Sequence, residues 1–268
     1  MKKGLLLYNE NDAKINKWFI ERLIEVAKQN GIQLTFSVYS EDLLKDDSRL
    51  EGLDFCINRT RFSFVGEYLE KRKIRCFNNA KTVKAANDKW ETYLLLKELG
   101  ISAMPTVLFQ KEQKIKFDFP FVVKARNGHG GSEVFWADSI SDLEKQKFSN
   151  KDGYIAQQPV SDLGVDVRVY VLGNRTIAGV KRTSKTDFRS NFSLGGQVEL
   201  FTPTAEQQEI IDKLQSVLEA DYAGFDFVLH NGKWVLNEIE DAVGARMLYS
   251  LCDCDIAEQF IKHIKNSI

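Results

Sequence analysis

Apolar positions along the chain repeat with two different periods, and the changes of period mark its elements. Residues 3–8 read as a buried first strand, and 13–30 carry helical spacing closed by Gly31. Further strands are expected at 32–38, 54–57 and 74–77, with a helix at about 64–71. Strands alternating with helices predict a small parallel α/β domain. Asn87 and Asp88 cap a helix that runs to about Leu99 and stops at Gly100. Strands follow at 104–109, 119–125 and 154–160. Residues 165–172 alternate strictly, with Val165, Val167, Val169 and Val171 on one face and Asp166, Arg168 and Tyr170 on the other. Gly173-Asn174 turns this strand into another at 175–182, and a two-residue turn there sets Lys181 opposite Asp166. Thr202-Pro203 opens a helix to about Leu218 with proline at its first position. Residues 243–246 read as a turn and 255–264 as a final amphipathic helix.

The stretch 223–241, AGFDFVLHNGKWVLNEIED, organises the rest. It reads as a hairpin turning at Asn231-Gly232, with Phe225, Phe227, Leu229, Val235 and Ile239 at odd positions and Asp226, Glu238 and Glu240 at even ones. A two-residue loop pairs His230 with Lys233 and turns Asp226 away from the glutamates. A three-residue loop pairs Leu229 with Lys233 and gathers the three carboxylates on one face. The apolar pattern favours the three-residue loop, because a one-residue slip turns a strand over. Three carboxylates held together call for a cation, and hard oxygens suit Mg²⁺ or Mn²⁺ carried with phosphates. Taken alone, the pattern also describes an amphipathic hairpin with a solvated acidic face.

Other stretches offer partners for such a site. Gly128, Gly130 and Gly131 follow the strand at 119–125 in the run RNGHGGS, where backbone N–H groups can cradle phosphate. Lys124 precedes this loop, and Lys89 sits in a helix's first turn, where a cation works against the helix dipole and suits an anionic partner. The run lacks the ending of a Walker A loop, and a hairpin loop needing positive φ explains its glycines equally well. His129 reads as a loop residue. The basic, aliphatic-poor stretch 181–196 supplies Arg189, Ser190 and Asn191 as donors for phosphate oxygens. Arg59 and Arg61 stand at a strand end of the first domain, where ligands of open α/β sheets bind, and suit a carboxylate. Surface charges on a turn would look the same.

Composition narrows the class. At 268 residues and 43% hydrophobic the chain can bury a sizeable core. Lys+Arg 37 against Asp+Glu 38 gives no general field for nucleic acid or an anionic membrane. No apolar run is long enough for a signal peptide or a bilayer span, and the four cysteines lack metal or disulfide spacing, so a cytoplasmic protein is expected.

Together these segments resemble the ATP-grasp enzymes, and among them the RimK-like branch of carboxylate–amine ligases. The resemblance is close over about residues 87–268 and looser before. It rests on the order and spacing of DVRVYV, GN, K–R, DFRSN, GG, TP, AGFDF and LNEIE. It implies an α/β (α+β) ATP-grasp fold, with an N-terminal parallel domain (1–86), a central subdomain with the glycine-rich lid (87–158) and a C-terminal subdomain with the metal site (159–268). By resemblance, Lys89 and Lys124 grip the α- and β-phosphates, and the lid is 128–132, including Ser132. The hinge at 155–160, with Gln157, Gln158 and Val160, bonds adenine, and Asp166 binds ribose. Arg189 and Asn191 contact the γ-phosphate and acyl phosphate, and Asp226, Glu238 and Glu240 form the metal triad. Two positions depart from the pattern: Gln158 replaces the usual hinge glutamate and Glu240 a frequent asparagine. The resemblance implies ATP with Mg²⁺ or Mn²⁺, and small-molecule or peptide carboxylate and amine substrates; Arg59, Arg61 and Arg246 are candidates for contacts to the substrate carboxylates. Self-association is common in the family, which makes a homo-oligomer a possible state. An ATP-grasp kinase or an ATP-binding regulatory protein would share the nucleotide half.

Overall fold

The computed structural model describes residues 1–111, 115, 117–131, 133–184 and 197–268. The first layer is a parallel sheet of β1 (Lys2–Tyr8), β2 (Ile32–Val38), β3 (Phe55–Arg59) and β4 (Arg75–Phe77), in the order β2-β1-β3-β4. Its crossovers carry α1 (Glu10–Ile15), α2 (Lys17–Gln29), α3 (Glu41–Lys45) and α4 (Ser63–Lys71). The single helix expected over 13–30 is two, because Asn16 bonds its side chain back to Asp12 O (2.8 Å) and leaves helical geometry. Helices α5 (Ala80–Asn87) and α6 (Lys89–Glu98) lead out of this layer, and α5 had no counterpart in the sequence reading.

A second, antiparallel sheet combines β5 (Thr106–Phe109), β6 (Phe121–Ala125), β7 (Val134–Ala137) and β8 (Tyr154–Gln157) in the order β5-β8-β6-β7, with α7 (Ile140–Lys145) beside it. The third sheet is antiparallel, in the order β11-β10-β9-β12-β13. Its strands are β9 (Val165–Leu172), β10 (Arg175–Thr183), β11 (Gln197–Phe201), β12 (Tyr222–His230) and β13 (Lys233–Glu240). Helix α8 (Ala205–Leu218) starts two residues past Pro203, because Thr204 and Gln207 form a reciprocal capping box. The segment expected to be only a turn continues into α9 (Arg246–Leu251), before α10 (Ile256–Ser267). Among the described residues no helix is long and apolar enough to cross a membrane.

The strict alternation of β9 is resolved by two different neighbours. Val167, Val169 and Val171 join Phe225, Phe227 and Ile239 in a core completed by Ile211, Leu214 and Leu218 of α8. On the opposite face, Tyr170 and Tyr222 pack with Tyr8, Phe55 and Phe77 of the parallel layer and Phe260 of α10. Asn78 staples the two layers together. Its amide donates to Tyr222 O (2.8 Å) and Asp241 O (3.1 Å) and accepts from the backbone N–H groups of Asp221 (2.7 Å) and Tyr222 (2.9 Å). Asn78→Ala leaves these buried groups unpaired, so a loss of about 2–3 kcal/mol is expected in a denaturant titration; a change under about 0.5 kcal/mol would contradict this role.

Candidate functional site

The β12–β13 hairpin reaches the expected arrangement of carboxylates by a different route. His230 pairs with Lys233, so the loop has two residues, and Asn231 (φ 51°) and Gly232 (φ 74°) both adopt the left-handed conformation that such a tight turn demands. The extra residue sits further along, as a bulge at Asn237: Phe227 pairs with Leu236, but Asp226 pairs with Glu238 and Gly224 with Glu240. Leu236 (1% exposed), not Val235, therefore fills the core beside Phe227 and Ile239. A bulge likewise shifts β10 between Thr176 and Ala178, and sets Arg182, not Lys181, opposite Asp166. Lys181 instead pairs with Glu199 on β11 (3.1 Å).

This register supplies the cations that three close carboxylates require. Arg168 holds Asp226 with two bonds (2.7 and 2.6 Å) and donates to Glu240 (2.7 Å). Arg182 holds Asp166 with two bonds (2.5 and 2.7 Å) and reaches Asp226 (2.7 Å). Lys89 stands 3.6 Å from Glu238 and donates to Gly128 O (2.5 Å). Burial alone would raise the Asp226 carboxyl, but Arg168 and Arg182 outweigh it and hold the group down at about 2.

Lys124 donates to Gln157 Oε1 (2.7 Å) and to Asn237 Oδ1 (3.2 Å), so the bulge residue itself positions a cation. Burial lowers the Lys124 ammonium to about 8, with Lys89 pushing the same way and Glu238 opposing. Lys89 is fixed at the start of α6, where Asp88 caps the helix and is in turn gripped by Arg126. Between β6 and β7 the glycine loop bends with positive φ at Gly130 (64°) and Gly131 (75°).

A cavity of about 140 Å³ brings these groups together. It is lined by Lys89, Lys124, Gly128, Gly130, Gly131, Gln157, Gln158, Val160, Asp166, Asp226, Glu238 and Glu240. Ser132, Arg189 and Asn191 lie outside the described residues. The Gln158 N–H, a candidate for adenine, donates to Pro105 O (3.0 Å). A neighbouring cavity of about 330 Å³ is lined by Arg61, Arg246, Asp12 and His129, and shares Gly130, Arg182 and Glu240 with the first. Arg59 lines neither: it is 3% exposed, stacks over Tyr8 and Phe19 and donates to Val243 O (2.8 Å).

Among the described residues no three His, Cys, Asp or Glu side chains are grouped to hold a metal ion. The expected triad is divided, because Asp226 is committed to two arginines while the side chains of Glu238 (29% exposed) and Glu240 (23%) remain partly open. Two hard carboxylates beside a cavity that Lys89, Lys124 and the glycine loop also line fit Mg²⁺ or Mn²⁺, which commonly take one or two protein carboxylates and complete their shell with phosphates and water. Arg168 was readable from its place two residues after Asp166, but its pairing was not. Arg182 was missed because no residue type announces the bulge that aligns it.

Comparison with known proteins agrees with this geometry. Residues 86–264 match the model of the RimK-like ATP-grasp domain. The chain is 30% identical over 97% of its length to a Mycoplasma pneumoniae protein described as "Uncharacterized protein MG011 homolog", and covers 92% of that relative. It is 27% identical, over 85% of its own length and 78% of the relative, to a probable alpha-L-glutamate ligase of Pasteurella multocida. The fold matches the D-alanine–D-alanine ligase of Bacillus anthracis solved with ATP, at a TM-score of 0.74 and 16% identity, over 99% of this chain and 97% of that one. Through the match that spans its central and C-terminal sheets, the chain belongs to the RimK-like ATP-grasp family of carbon–nitrogen ligases.

Proposed function

We propose that the protein joins a carboxylate to an amine by way of an acyl phosphate, converting ATP to ADP and phosphate. The observation that carries this reading is the pair of joined cavities, one lined by Lys89, Lys124 and the glycine loop, the other by Arg61 and Arg246. Lys89 and Lys124 hold the α- and β-phosphates, with the N–H groups around Gly128, Gly130 and Gly131 closing over them. Gln157, Gln158 and Val160 face the base and Asp166 the ribose, while Arg189 and Asn191 are assigned to the transferred phosphoryl group. Glu238 and Glu240 would hold Mg²⁺, which when bound neutralises phosphate charge, and Asp226 keeps the arginines beside them in place.

Arg61 and Arg246 orient the substrate carboxylate toward the γ-phosphorus. A carboxylate oxygen bonds to that phosphorus as the bond to the β,γ-bridging oxygen breaks, releasing ADP. The amine nitrogen then attacks the acyl carbon, loses a proton, and phosphate leaves with the former carboxylate oxygen. Positioning and charge neutralisation do this work, and no nucleophilic side chain is called for. A relative described as a probable alpha-L-glutamate ligase supports an amino acid as one substrate. The four free thiols support action in the reducing cytoplasm.

The test supplies ATP, Mg²⁺ and a pool of amino acids and short peptides, and follows nucleotides and new masses. ADP, phosphate and a mass equal to two substrates less water are expected; AMP would refute the acyl phosphate, and a phosphorylated product without free phosphate would refute the ligase. Lys124→Ala should weaken nucleotide binding at least tenfold by calorimetry, and unchanged affinity would reject its phosphate role. With the Lys124 ammonium lowered to about 8, its charge is present below that pH and lost above it. Bound phosphate favours the charged form, so binding above pH 8 should take up a proton and weaken as pH rises.

A further inference from the structure

The lining of the second cavity contains a contact that the chemistry above does not use. His129 lies between Gly128 and Gly130, and its side chain leaves the glycine loop for the N-terminal domain. There its Nδ1 stands 3.2 Å from Arg61 Nη1. A guanidinium can only donate, so Nδ1 accepts and the ring proton is on Nε2. Burial, then Arg61 and Lys89, hold the imidazolium form down at about 3, which leaves the ring neutral and fit to accept. Arg61 is itself held: Nε donates to Asp12 Oδ2 (2.8 Å), and Asn9 donates to the same oxygen (2.9 Å). Its backbone takes a left-handed φ of 68°, uncommon for a residue with a side chain, so the surroundings over-determine its position.

We propose that His129 is a positioning residue that latches the glycine loop to Arg61, so that the cation facing the carboxylate also sets the lid over the nucleotide. The inference rests on the nucleotide reading of the first cavity. A loop bent by two glycines has many conformations to lose, and a side chain anchored on a fixed guanidinium selects among them. Whatever draws the lid down is then coupled to Arg61 through that bond, and the coupling is reciprocal.

Calorimetry with a non-hydrolysable ATP analogue and Mg²⁺ tests this. His129→Leu keeps bulk and loses the acceptor, and Arg61→Met loses the donor. Each should weaken binding about tenfold, as for a hydrogen bond to a charged group. The double variant should be no weaker than about threefold below either single one, because both remove the same bond. His129→Asn, with its amide oxygen near the Nδ1 position, should bind within about threefold of the wild type. Unchanged binding by His129→Leu, multiplied losses in the double variant, or no recovery with asparagine would each overturn the latch. Wild-type protein that binds no analogue overturns both this inference and the ligase reading, whereas wild-type binding with unaffected variants rejects the latch alone.

Discussion

Glu238→Gln is expected to lower turnover by about 10²–10³-fold or more while leaving the melting temperature nearly unchanged. Glutamine keeps the shape and one oxygen but removes the charge that would hold a divalent cation beside the phosphates. In the folded chain Glu238 has a partly open side chain and faces Lys89 at 3.6 Å. An ion pair of that length and exposure adds little to stability. The loss should appear in kcat and in the dependence of rate on Mg²⁺ concentration. Wild-type turnover in a folded Glu238→Gln protein would remove the metal assignment.

Asp226→Ala is expected to behave differently, because the same face of the hairpin holds it in a different electrostatic setting. The residue is 5% exposed and accepts three bonds from two arginines that are themselves buried. Removing it leaves Arg168 and Arg182 to share Glu240 and Asp166, with excess positive charge away from water. Breaking such a buried cluster costs about 3–5 kcal/mol, or a fall in melting temperature on the order of 10 °C for a chain of this size. Turnover should be lost as well, but melting distinguishes this variant from Glu238→Gln. A melting temperature within about 2 °C of the wild type would show that the arginines find other partners at no cost. Acid titration gives an independent check. The folded Asp226 carboxyl is held below its ordinary value, so its contribution is complete above about pH 4 and is lost as pH falls toward 2.

These two outcomes also mark how far the sequence could be read. Period-two alternation through 165–172 located β9, and Val167, Val169 and Val171 do face a core, while the other side of that strand meets a separate apolar layer. That Lys89, Lys124, the three glycines and the acidic hairpin share one site was an expectation from the family resemblance, and one cavity does gather them. Register was not. Bulges between Asp226 and Phe227 and between Thr176 and Ala178 leave no mark in composition, yet they decide that Arg182 meets Asp166 and that Asn237 meets Lys124. Arg59 and Arg61 show the same limit from the other side. Two residues apart at one strand end, they look equivalent in sequence, but one is buried beneath Val243 O and the other opens on a cavity. Long-range packing makes that distinction, and a local pattern cannot contain it.

The most direct test of the acyl-phosphate account follows the oxygen that must move. The wild-type protein is supplied with ATP, Mg²⁺ and a pool of amino acids and short peptides carrying ¹⁸O in their carboxyl groups, and the released phosphate is weighed by mass spectrometry. One ¹⁸O per phosphate is the predicted result, since the substrate's carboxylate oxygen leaves with the phosphoryl group when the amine attacks. Phosphate released without label, or a phosphorylated acceptor with no free phosphate, would contradict it.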